Sequence, residues 1–468
     1  TSFTERPILK LDLLQSRISS QEQAKLHSTT LSPKNHSLNS GADIDLKKEN
    51  RNLPPSFLSD REEAAVTVKQ FHEIEEGGTP SKLRLHHQPR RALQQQRQFP
   101  PLLALLNPSL RAAYVALQAW KASITSDPHG ITSTWVGFNV CKYKGVFCAP
   151  PPDASCDIVV AGIDLNHGDI AGSLPEKLGL LTYLALFHIN SNRFSGYLPT
   201  SIVAWRYLFE LDISNNLFLG PFPSVTLSLP NLAFLDIRFN RFHGHLPPEL
   251  FDRPGLDAIF VNDNLFQGQI PENLGNSRVS VAVFARNSFS GGIPNSIGAM
   301  QATLNEIIFL GNSLEGCIPA QAGNLLHLTV LDVSVNKLSG EIPSSLSNLR
   351  SLEQLDLAFN LLSGTISSQI CSLPRLENLT ASFNFFEASS PVCVALPQRG
   401  VRFDDRSDCI DGRPFQKTKK ECDIFFSSQQ LCPVHRSSPP PPPASLPPPS
   451  PPPYFYVSPP PPPSSQYP

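Results

Sequence analysis

Two groups of residues in this sequence have side chains suited to covalent cross-linking: the cysteines, and the tyrosines of a proline-rich segment. Nine cysteines lie between Cys141 and Cys432, clustered toward the two ends of the central region. Thiols so placed can staple the ends of a domain, and they indicate an oxidising compartment. Disulfides are therefore predicted at six positions: Cys141, Cys148, Cys371, Cys393, Cys409 and Cys422.

The proline-rich segment, residues 437–468, holds 17 of the 47 prolines. Proline fixes φ and removes a backbone donor, so this segment is predicted to form an extended polyproline II rod. Tyr454 and Tyr456 stand between Ser-Pro blocks, where phenols on a stiff rod suit cross-linking, and Tyr467 is a lesser candidate. Composition alone gives equal support to this cross-linking role and to the alternative, a proline-rich linker or a ligand for a PxxP-reading domain.

Charge is unevenly distributed, although the net charge is only −2. Residues 158–393 carry 11 Lys and Arg against 19 Asp and Glu, whereas residues 1–100 carry 15 against 12. An acidic central region favours a basic partner and argues against nucleic acid. No apolar run reaches the roughly 18 residues of a membrane span. The chain begins at Thr1 rather than Met, which is consistent with a removed secretory signal.

The N-terminal third divides into two parts. Residues 1–100 are rich in Gln, Ser, Lys and Arg without a sustained apolar period, and are predicted to be disordered. Residues 101–157 are predicted to form an N-terminal cap. There, Asn107 and Pro108 give a helix-start signal, apolar residues follow at helical spacing, and the close pair Cys141 and Cys148 comes next.

Residues 158–393 repeat with a period of about 24. An asparagine recurs with apolar residues three and five positions before it, and most of these asparagines have glycine four positions after. In an opening unit, Gly168 occupies the position of the recurring asparagine. We call these the ladder asparagines: Asn192, Asn216, Asn240, Asn264, Asn287, Asn312, Asn336, Asn360 and Asn384.

This pattern is that of the leucine-rich repeat. It predicts an α/β solenoid, a horseshoe of about ten 24-residue units, in which each asparagine turns inward and bonds backbone groups that would otherwise be buried and unpaired. Turns such as Leu338–Pro343 resemble the plant-type subclass, which adds a second strand. Residues 394–436 are predicted to form a cysteine-containing C-terminal cap, followed by the polyproline tail.

The odd cysteine count leaves at least one thiol free or intermolecular. Equivalent residues in stacked strands lie about 5 Å apart, a span that a disulfide can bridge. The positions equivalent to Cys317 in the adjacent units are Gly292 and Glu341, which offer no sulfur. Cys317 is therefore the first candidate for the free or intermolecular thiol, and Cys156 is the second.

The strands of such an array form a concave sheet, whose outward residues stand six, four and two positions before each ladder asparagine. An apolar stripe there, predicted to be solvent-exposed and rimmed by acids, indicates a site for a basic, partly hydrophobic peptide. Aspartate four positions before is also common for structural reasons, so the stripe is the stronger evidence. It comprises Phe234, Phe260, Val281, Val283, Ile308 and Leu310. The predicted peptide-binding residues are Glu210, Asp212, Phe234, Asp236, Phe260, Asn262, Val283, Glu306, Ile308, Leu310, Asp332 and Asp356.

Two sequons predict N-glycosylation, at Asn378 in the last unit and at Asn35 near the N-terminus. A glycan on Asn378 would close off that end of the sheet. No P-loop, HExxH or GxSxG motif is present, and the histidines show no metal-ligand spacing near the cysteines. The sequence therefore predicts no enzyme activity, no metal and no cofactor.

Several stretches together resemble plant leucine-rich repeat extensins. They include NPSLRAAYVALQAWKASITSDP, WVGFNVCKYKGVFC, LDAIFVNDNLF, LPRLENLTASFNFF and the SPPPPP and YFY elements of the tail, and the resemblance covers about residues 105–468. It implies a secreted, extracellular cell-wall protein whose repeat domain binds basic, cysteine-containing rapid alkalinisation factor peptides. It also implies a role in wall assembly, wall sensing, cell growth and morphogenesis.

The resemblance further implies partners and modifications. The tail would be anchored through hydroxyproline glycosylation and tyrosine cross-links, in contact with wall polysaccharide and other extensins, and the protein would form homodimers and act with wall-sensing receptor kinases. The tail is short for an extensin region. The predicted hydroxyprolines are Pro439, Pro440, Pro441, Pro442, Pro459, Pro460, Pro461 and Pro462.

Two alternatives remain open. The first is a secreted inhibitor of wall-degrading enzymes, similar to a polygalacturonase inhibitor, that uses the same concave face. The second is a purely structural wall glycoprotein whose repeats bind nothing tightly.

Overall fold

The computed structural model describes residues 107–151 and 158–428. The predictions for residues 1–100 and 437–468 lie outside the described residues. So do those for Asn35, Cys156 and the tail tyrosines and prolines.

The predicted N-terminal helix is present as α1, Pro108–Ser123. Its first turn is capped by Asn107, whose Oδ1 accepts a hydrogen bond from the Leu110 amide at 2.8 Å. Helical spacing places Ala113, Ala116, Leu117 and Trp120 on one buried face. This helix closes the N-terminal end of the hydrophobic core, because the Trp120 ring lies among Trp135, Phe187 and Phe194 at centroid distances of 5.6–5.7 Å.

Each repeat contributes one short strand to a main sheet of twelve strands. The pairs are parallel and in register from the strand Val159–Asp164 to the strand Arg402–Asp404, and Val146–Ala149 adds to the first of these in antiparallel orientation. The strands are β2 Val146–Ala149, β3 Val159–Asp164, β5 Leu186–His188, β7 Glu210–Asp212, β9 Phe234–Asp236, β11 Ala258–Phe260, β13 Val281–Val283, β15 Glu306–Ile308, β17 Val330–Asp332, β19 Gln354–Asp356, β21 Asn378–Thr380 and β23 Arg402–Asp404.

A second sheet of eleven strands follows the ladder asparagines, as the plant-type pattern predicted. It is parallel except for its first pair. Its strands are β1 Ile124–Ser126, β4 Ala171–Gly172, β6 Arg193–Gly196, β8 Leu217–Gly220, β10 Arg241–Gly244, β12 Leu265–Gln269, β14 Ser288–Gly291, β16 Ser313–Cys317, β18 Lys337–Gly340, β20 Leu361–Ile366 and β22 Phe385–Ser389.

Short helices complete the units on the return side. Three are α-helical: α2 Ser368–Cys371, α3 Pro391–Val394 and, in the C-terminal cap, α4 Lys419–Ser428. The 3₁₀ helices are Thr132–Thr134, Val140–Lys142, Glu176–Leu180, Thr200–Ala204, Ser224–Ser228, Pro248–Leu250, Glu272–Asn276, Asn295–Met300, Ala320–Asn324, Ser344–Asn348 and Leu396–Arg399.

The ladder asparagines bond the backbone as predicted. The Asn240 Oδ1 accepts from the Phe218 amide at 3.0 Å, and its Nδ2 donates to the Ile213 carbonyl of the preceding unit at 3.0 Å. The same Nδ2 also lies within hydrogen-bond distance of the carbonyls of Ile237 and Arg238 in its own unit. Each asparagine thereby satisfies buried backbone groups in two adjacent units, which fixes their register.

A glycine on the return side allows two neighbouring units to approach closely. Gly323 lies in the 3₁₀ helix Ala320–Asn324, and a Cβ added there would overlap the backbone carbonyl of Ser345 in the next helix. Its φ is not in the left-handed region, so the requirement here is for space rather than for backbone freedom.

The solenoid continues one strand beyond residue 393, because β23 pairs in parallel with β21. Asp408, 24 residues after Asn384, is fully buried and accepts from the Asn384 amide at 2.9 Å, so a carboxyl group stands at the next ladder position. Lys417 Nζ donates to the carbonyls of Asn384 and Ser407 and lies 4.5 Å from the ring centroid of Phe385.

Three disulfides join the six cysteines for which they were predicted. Cys141 pairs with Cys148, Cys371 with Cys393 and Cys409 with Cys422, at Cα–Cα distances of 5.5, 5.0 and 6.0 Å. The last of these disulfides fastens α4 to the end of the array.

The prediction that Cys317 carries a free thiol is wrong, because Cys317 is disulfide-bonded. Its partner is none of the six cysteines above, since those pair among themselves. The sequence argument searched for a sulfur only at equivalent positions of adjacent units, whereas a disulfide requires proximity in space and not equivalence in the repeat.

Candidate functional site

The outward residues of the main sheet form one continuous surface, which we call the main-sheet face. The strand register places the residues four positions before each ladder asparagine in a single row across the sheet. In order, this central row contains Asp164, His188, Asp212, Asp236, Phe260, Val283, Ile308, Asp332, Asp356, Thr380 and Asp404. An apolar segment of three residues therefore separates two acidic segments.

The first acidic segment contains a histidine. His188 is buried, and its Nε2 lies 3.0 Å from Oε2 of Glu210 on the adjacent strand. Burial works to lower the pKa of His188, but the bond to Glu210 and the charges of Asp212, Glu210 and Asp164 outweigh it, so the pKa is raised. A protonated His188 therefore neutralises part of the local negative charge.

Asp236 lies at the border of this segment and is only 1% exposed. Its Oδ2 is 3.0 Å from Nε of Arg238, and the guanidinium of Arg238 lies 5.4 Å from the ring centroid of Phe260. Burial, together with the nearby charge of Asp212, raises the pKa of Asp236 well above its usual range. Asp236 therefore contributes to the face through Arg238 rather than as an exposed carboxylate.

The apolar stripe is less exposed than the sequence predicted. Phe234 and Phe260 are half-buried, because their rings pack together across β9 and β11 with centroids 5.4 Å apart. The remaining members, Val281, Val283, Ile308 and Leu310, are also half-buried. Strands about 4.8 Å apart bring equivalent side chains into contact, so each covers part of the next. The stripe that was predicted to be solvent-exposed is therefore only partly exposed.

The second acidic segment comprises Asp332, Asp356 and Asp404. Burial raises the pKa of Asp332, and burial followed by the charge of Asp332 raises the pKa of Asp356 to about 6. In contrast, the hydrogen bond from Arg406 lowers the pKa of Asp404. This segment therefore gains negative charge as the pH rises through the mildly acidic range.

The aspartates of the central row also have a structural role, as the repeat pattern suggested. The Oδ1 of Asp212, Asp332 and Asp356 each accept from the backbone amide two residues later, at 2.9–3.0 Å. Such a bond stabilises the turn that follows the strand. Substituting these aspartates would therefore disturb the fold as well as the face.

Two other predicted binding residues, Glu306 and Asn262, do not share this structural role. Glu306 is half-buried, and within the described residues its carboxylate makes no hydrogen bond or ion pair. Asn262 is 6% exposed, and its Oδ1 has no hydrogen-bond partner in this part of the chain. Glu306 is thus the acid of this face that can be changed with least effect on the fold.

The sequon residue Asn378 lies on β21 between Gln354 and Arg402 of the adjacent strands. It is half-buried and lines a surface groove with Pro397, Arg402 and Phe403. Asn378 is therefore on the same face as the acidic segments.

Sequence reasoning missed a residue near each end of the central row. His188 stands four residues before Asn192, and Asp404 stands four residues before Asp408, which follows Asn384 by 24. Reading the same offset before Asn192, and continuing the period by one unit past Asn384, would have found both. Within residues 107–151 and 158–428, no cluster of three or more His, Cys, Asp or Glu is placed to hold a metal ion. The same residues include no helix that is long and apolar enough to span a bilayer.

Comparison with known proteins identifies repeats and relatives. Residues 114–149 match the leucine rich repeat N-terminal domain, and residues 327–349 and 351–373 match the Leucine Rich Repeat family. The chain is 64% identical over 329 residues to leucine-rich repeat extensin-like protein 6 of Arabidopsis thaliana, covering 70% of this chain and 69% of that protein. It is 56% identical over 322 residues to leucine-rich repeat extensin-like protein 2 of the same species, covering 69% of this chain and 41% of that protein.

A solved structure with the same fold is the Arabidopsis receptor kinase HAESA in complex with the peptide hormone IDA and the co-receptor SERK1. It matches with a TM-score of 0.55 and 27% identity over 64% of this chain and 50% of that one.

Proposed function

Since this chain belongs to the leucine-rich repeat extensin-like proteins, we propose that it is a non-enzymatic extracellular cell-wall protein whose main-sheet face binds a basic, partly hydrophobic secreted peptide. The observation that carries this proposal is the central row, with its apolar segment between two acidic segments. Surfaces of this kind complement a ligand that carries cations on both sides of an apolar centre.

The spacing of the row limits the ligand. Asp212 and Asp332, which are both half-buried, are five strands apart, which corresponds to about 24 Å at the usual strand separation. An extended peptide covers that distance with about seven residues. A peptide hormone in the HAESA complex gives a precedent for peptide recognition by this fold. The family resemblance makes cysteine-containing alkalinisation factor peptides the preferred ligand class.

The remaining parts of the proposal concern attachment and modification. We infer that the proline-rich segment anchors the protein in the wall, through hydroxyprolines and through cross-links at Tyr454 and Tyr456, beside wall polysaccharide and other extensins. A glycan on Asn378 would occupy the groove lined by Arg402 and Asp404, at the far end of the second acidic segment, and leave Asp332, the apolar segment and the first acidic segment open. Homodimers and wall-sensing receptor kinases remain partners that the resemblance implies.

The test is a titration of the full chain with a basic, disulfide-bonded alkalinisation factor peptide, using Glu306→Gln as the probe variant. Because Glu306 makes no structural hydrogen bond within the described residues, its loss should weaken binding by about three- to tenfold with little change in stability. Glu315→Gln is the matched control, since Glu315 is an exposed acid on the second sheet.

If both variants bind the peptide as tightly as the parent chain does, the proposal that the main-sheet face binds the peptide is wrong. The same preparations assayed against a polygalacturonase test the alternative, since inhibition that depends on Glu306 without peptide binding would indicate an inhibitor.

A further inference from the structure

A row of residues beside the main-sheet face has an unusual backbone. The residue directly before each ladder asparagine adopts a positive φ of 47–59°, apart from Gly311 at 69°. In several units this residue is of a type that tolerates the left-handed region. In others it forms a hydrogen bond or an ion pair with the equivalent residue of the adjacent unit. Asn215 donates to Ser191 Oγ at 3.0 Å, and Arg286 pairs with Asp263. These units therefore fill the row with polar groups.

Three consecutive units near the C-terminal end fill the row with bulky apolar residues, which we call the apolar ledge: Val335, Phe359 and Phe383. Their φ values are 55°, 55° and 59°, and they are 46%, 49% and 41% exposed. The rings of Phe359 and Phe383 stack with centroids 4.1 Å apart. The repeat imposes the left-handed conformation on every unit, so φ alone does not distinguish this part of the row. What distinguishes these three units is that adjacent large apolar side chains are left about half exposed, which is typical of an interaction surface.

The C-terminal cap packs beside the C-terminal end of this ledge. Phe425 of α4 stacks on Phe385 with centroids 3.6 Å apart, and Phe385 is two residues from Phe383. Residues 429–436 connect α4 to the proline-rich segment and can span up to about 25–30 Å. Val335, the most distant ledge residue, lies two units from Phe383, or about 10 Å away. The segment is therefore within reach of the whole ledge.

The proline-rich segment and the apolar ledge also match in their repeat distance and in their lack of charge. One turn of polyproline II takes three residues and advances about 9.3 Å, close to the roughly 9.6 Å of two strand separations. Prolines three residues apart would thus meet the two ends of the ledge. Proline-rich rods dock on exposed aromatic side chains. Residues 437–468 contain no charged residue, so they suit the ledge and not the acidic segments.

We propose that the proline-rich segment of this chain docks on its own apolar ledge, with a proline block lying across Val335, Phe359 and Phe383. Docking would hold the rod against the side of the repeat domain until other partners of the tail compete for it. This inference does not depend on the peptide proposed for the main-sheet face.

The test is chymotrypsin cleavage of the full chain after Tyr454, Phe455 and Tyr456, followed by mass spectrometry. A tether of this length gives an effective concentration on the order of millimolar. A docking constant of about 0.1 mM would then slow cleavage about tenfold. The double variant F359S/F383S should lose this protection. Serine occupies the same backbone position at 191 and 407, so the variant is expected to fold.

Phe239→Ser is the matched control, because Phe239 has the same backbone conformation at φ 52° and 44% exposure but stands alone in its part of the row. It should leave the cleavage rate unchanged. Equal rates for the parent chain and F359S/F383S, or an equal acceleration in F239S, would overturn the proposal. Protection that increases with chain concentration would assign the rod to a second copy, and so would also contradict docking within one chain.

Discussion

The imidazole of His188 and the carboxylate of Glu210 meet across two adjacent strands at 3.0 Å, inside the first acidic segment of the main-sheet face. The folded state raises the pKa of His188, so protonation favours folding. This stabilisation is fully present below the unfolded value of about 6.5 and is lost as the pH rises through the folded value.

We therefore expect Glu210→Gln to destabilise the protein more at pH 5.5 than at pH 8.5, by about 1 kcal/mol, since the bond to a charged partner is the stronger one. Urea unfolding at the two pH values measures the difference. Glu306→Gln, at an equivalent strand position without a partner in the described residues, should show no such dependence. A Glu210→Gln effect of the same size at both pH values would contradict the assignment.

The second acidic segment predicts pH-dependent peptide binding. Asp356, with a pKa of about 6, is mostly protonated at pH 5 and mostly ionised at pH 7. Affinity for a basic peptide without histidine should thus rise by up to about tenfold between these values. Calorimetric titrations of the parent chain and of Asp356→Asn measure it, since the variant cannot ionise and should give a flatter profile. An unchanged profile in the variant would show that Asp356 is not the titrating group.

Gly323 predicts a packing effect on stability. Alanine at this position would collide with the Ser345 carbonyl, and should lower the free energy of unfolding by about 2 kcal/mol or more. Gly292 is the matched control, because neither glycine has a left-handed φ and a Cβ at 292 would meet only the Glu315 carbonyl at an ordinary 3.7 Å. Thermal unfolding of Gly323→Ala and Gly292→Ala compares them. Similar melting temperatures would mean that the adjacent helices can move apart to accommodate the methyl group without a loss of stability.

Asp408 predicts that the C-terminal cap loosens at alkaline pH. Burial raises the pKa of Asp408 to about 8, so its contribution to stability is fully present below about pH 4 and is lost as the pH rises toward 8. Asp408→Asn cannot ionise and should be more stable than the parent chain at pH 8.5, by a few kcal/mol at most. Hydrogen exchange of residues 402–428 at pH 6 and 8.5 reports on this. A parent chain that is equally protected at both values would rule out the effect.

The repeat pattern was sufficient to predict the parts of the fold that depend on local spacing. The inward asparagine, such as Asn240, and the second strand after it both follow from positions within one unit. Interactions between side chains of different units were not predictable in the same way. The half-burial of Phe234 depends on the size of Phe260 in the next unit, and a comparison of equivalent positions in adjacent units did not find the disulfide of Cys317. The apolar ledge was missed because φ is not visible in the residue types alone.

Because the register of the central row is constant, the number of units between the two acidic segments sets the distance between them. Each ladder asparagine ties one unit to the one before it by the same bonds, so a whole unit can be inserted or removed while its neighbours keep these asparagine bonds. One such insertion or removal between them would move Asp212 and Asp332 apart or together by about 4.8 Å. Gene duplication of a single repeat could thereby retune the length of the preferred ligand in discrete steps.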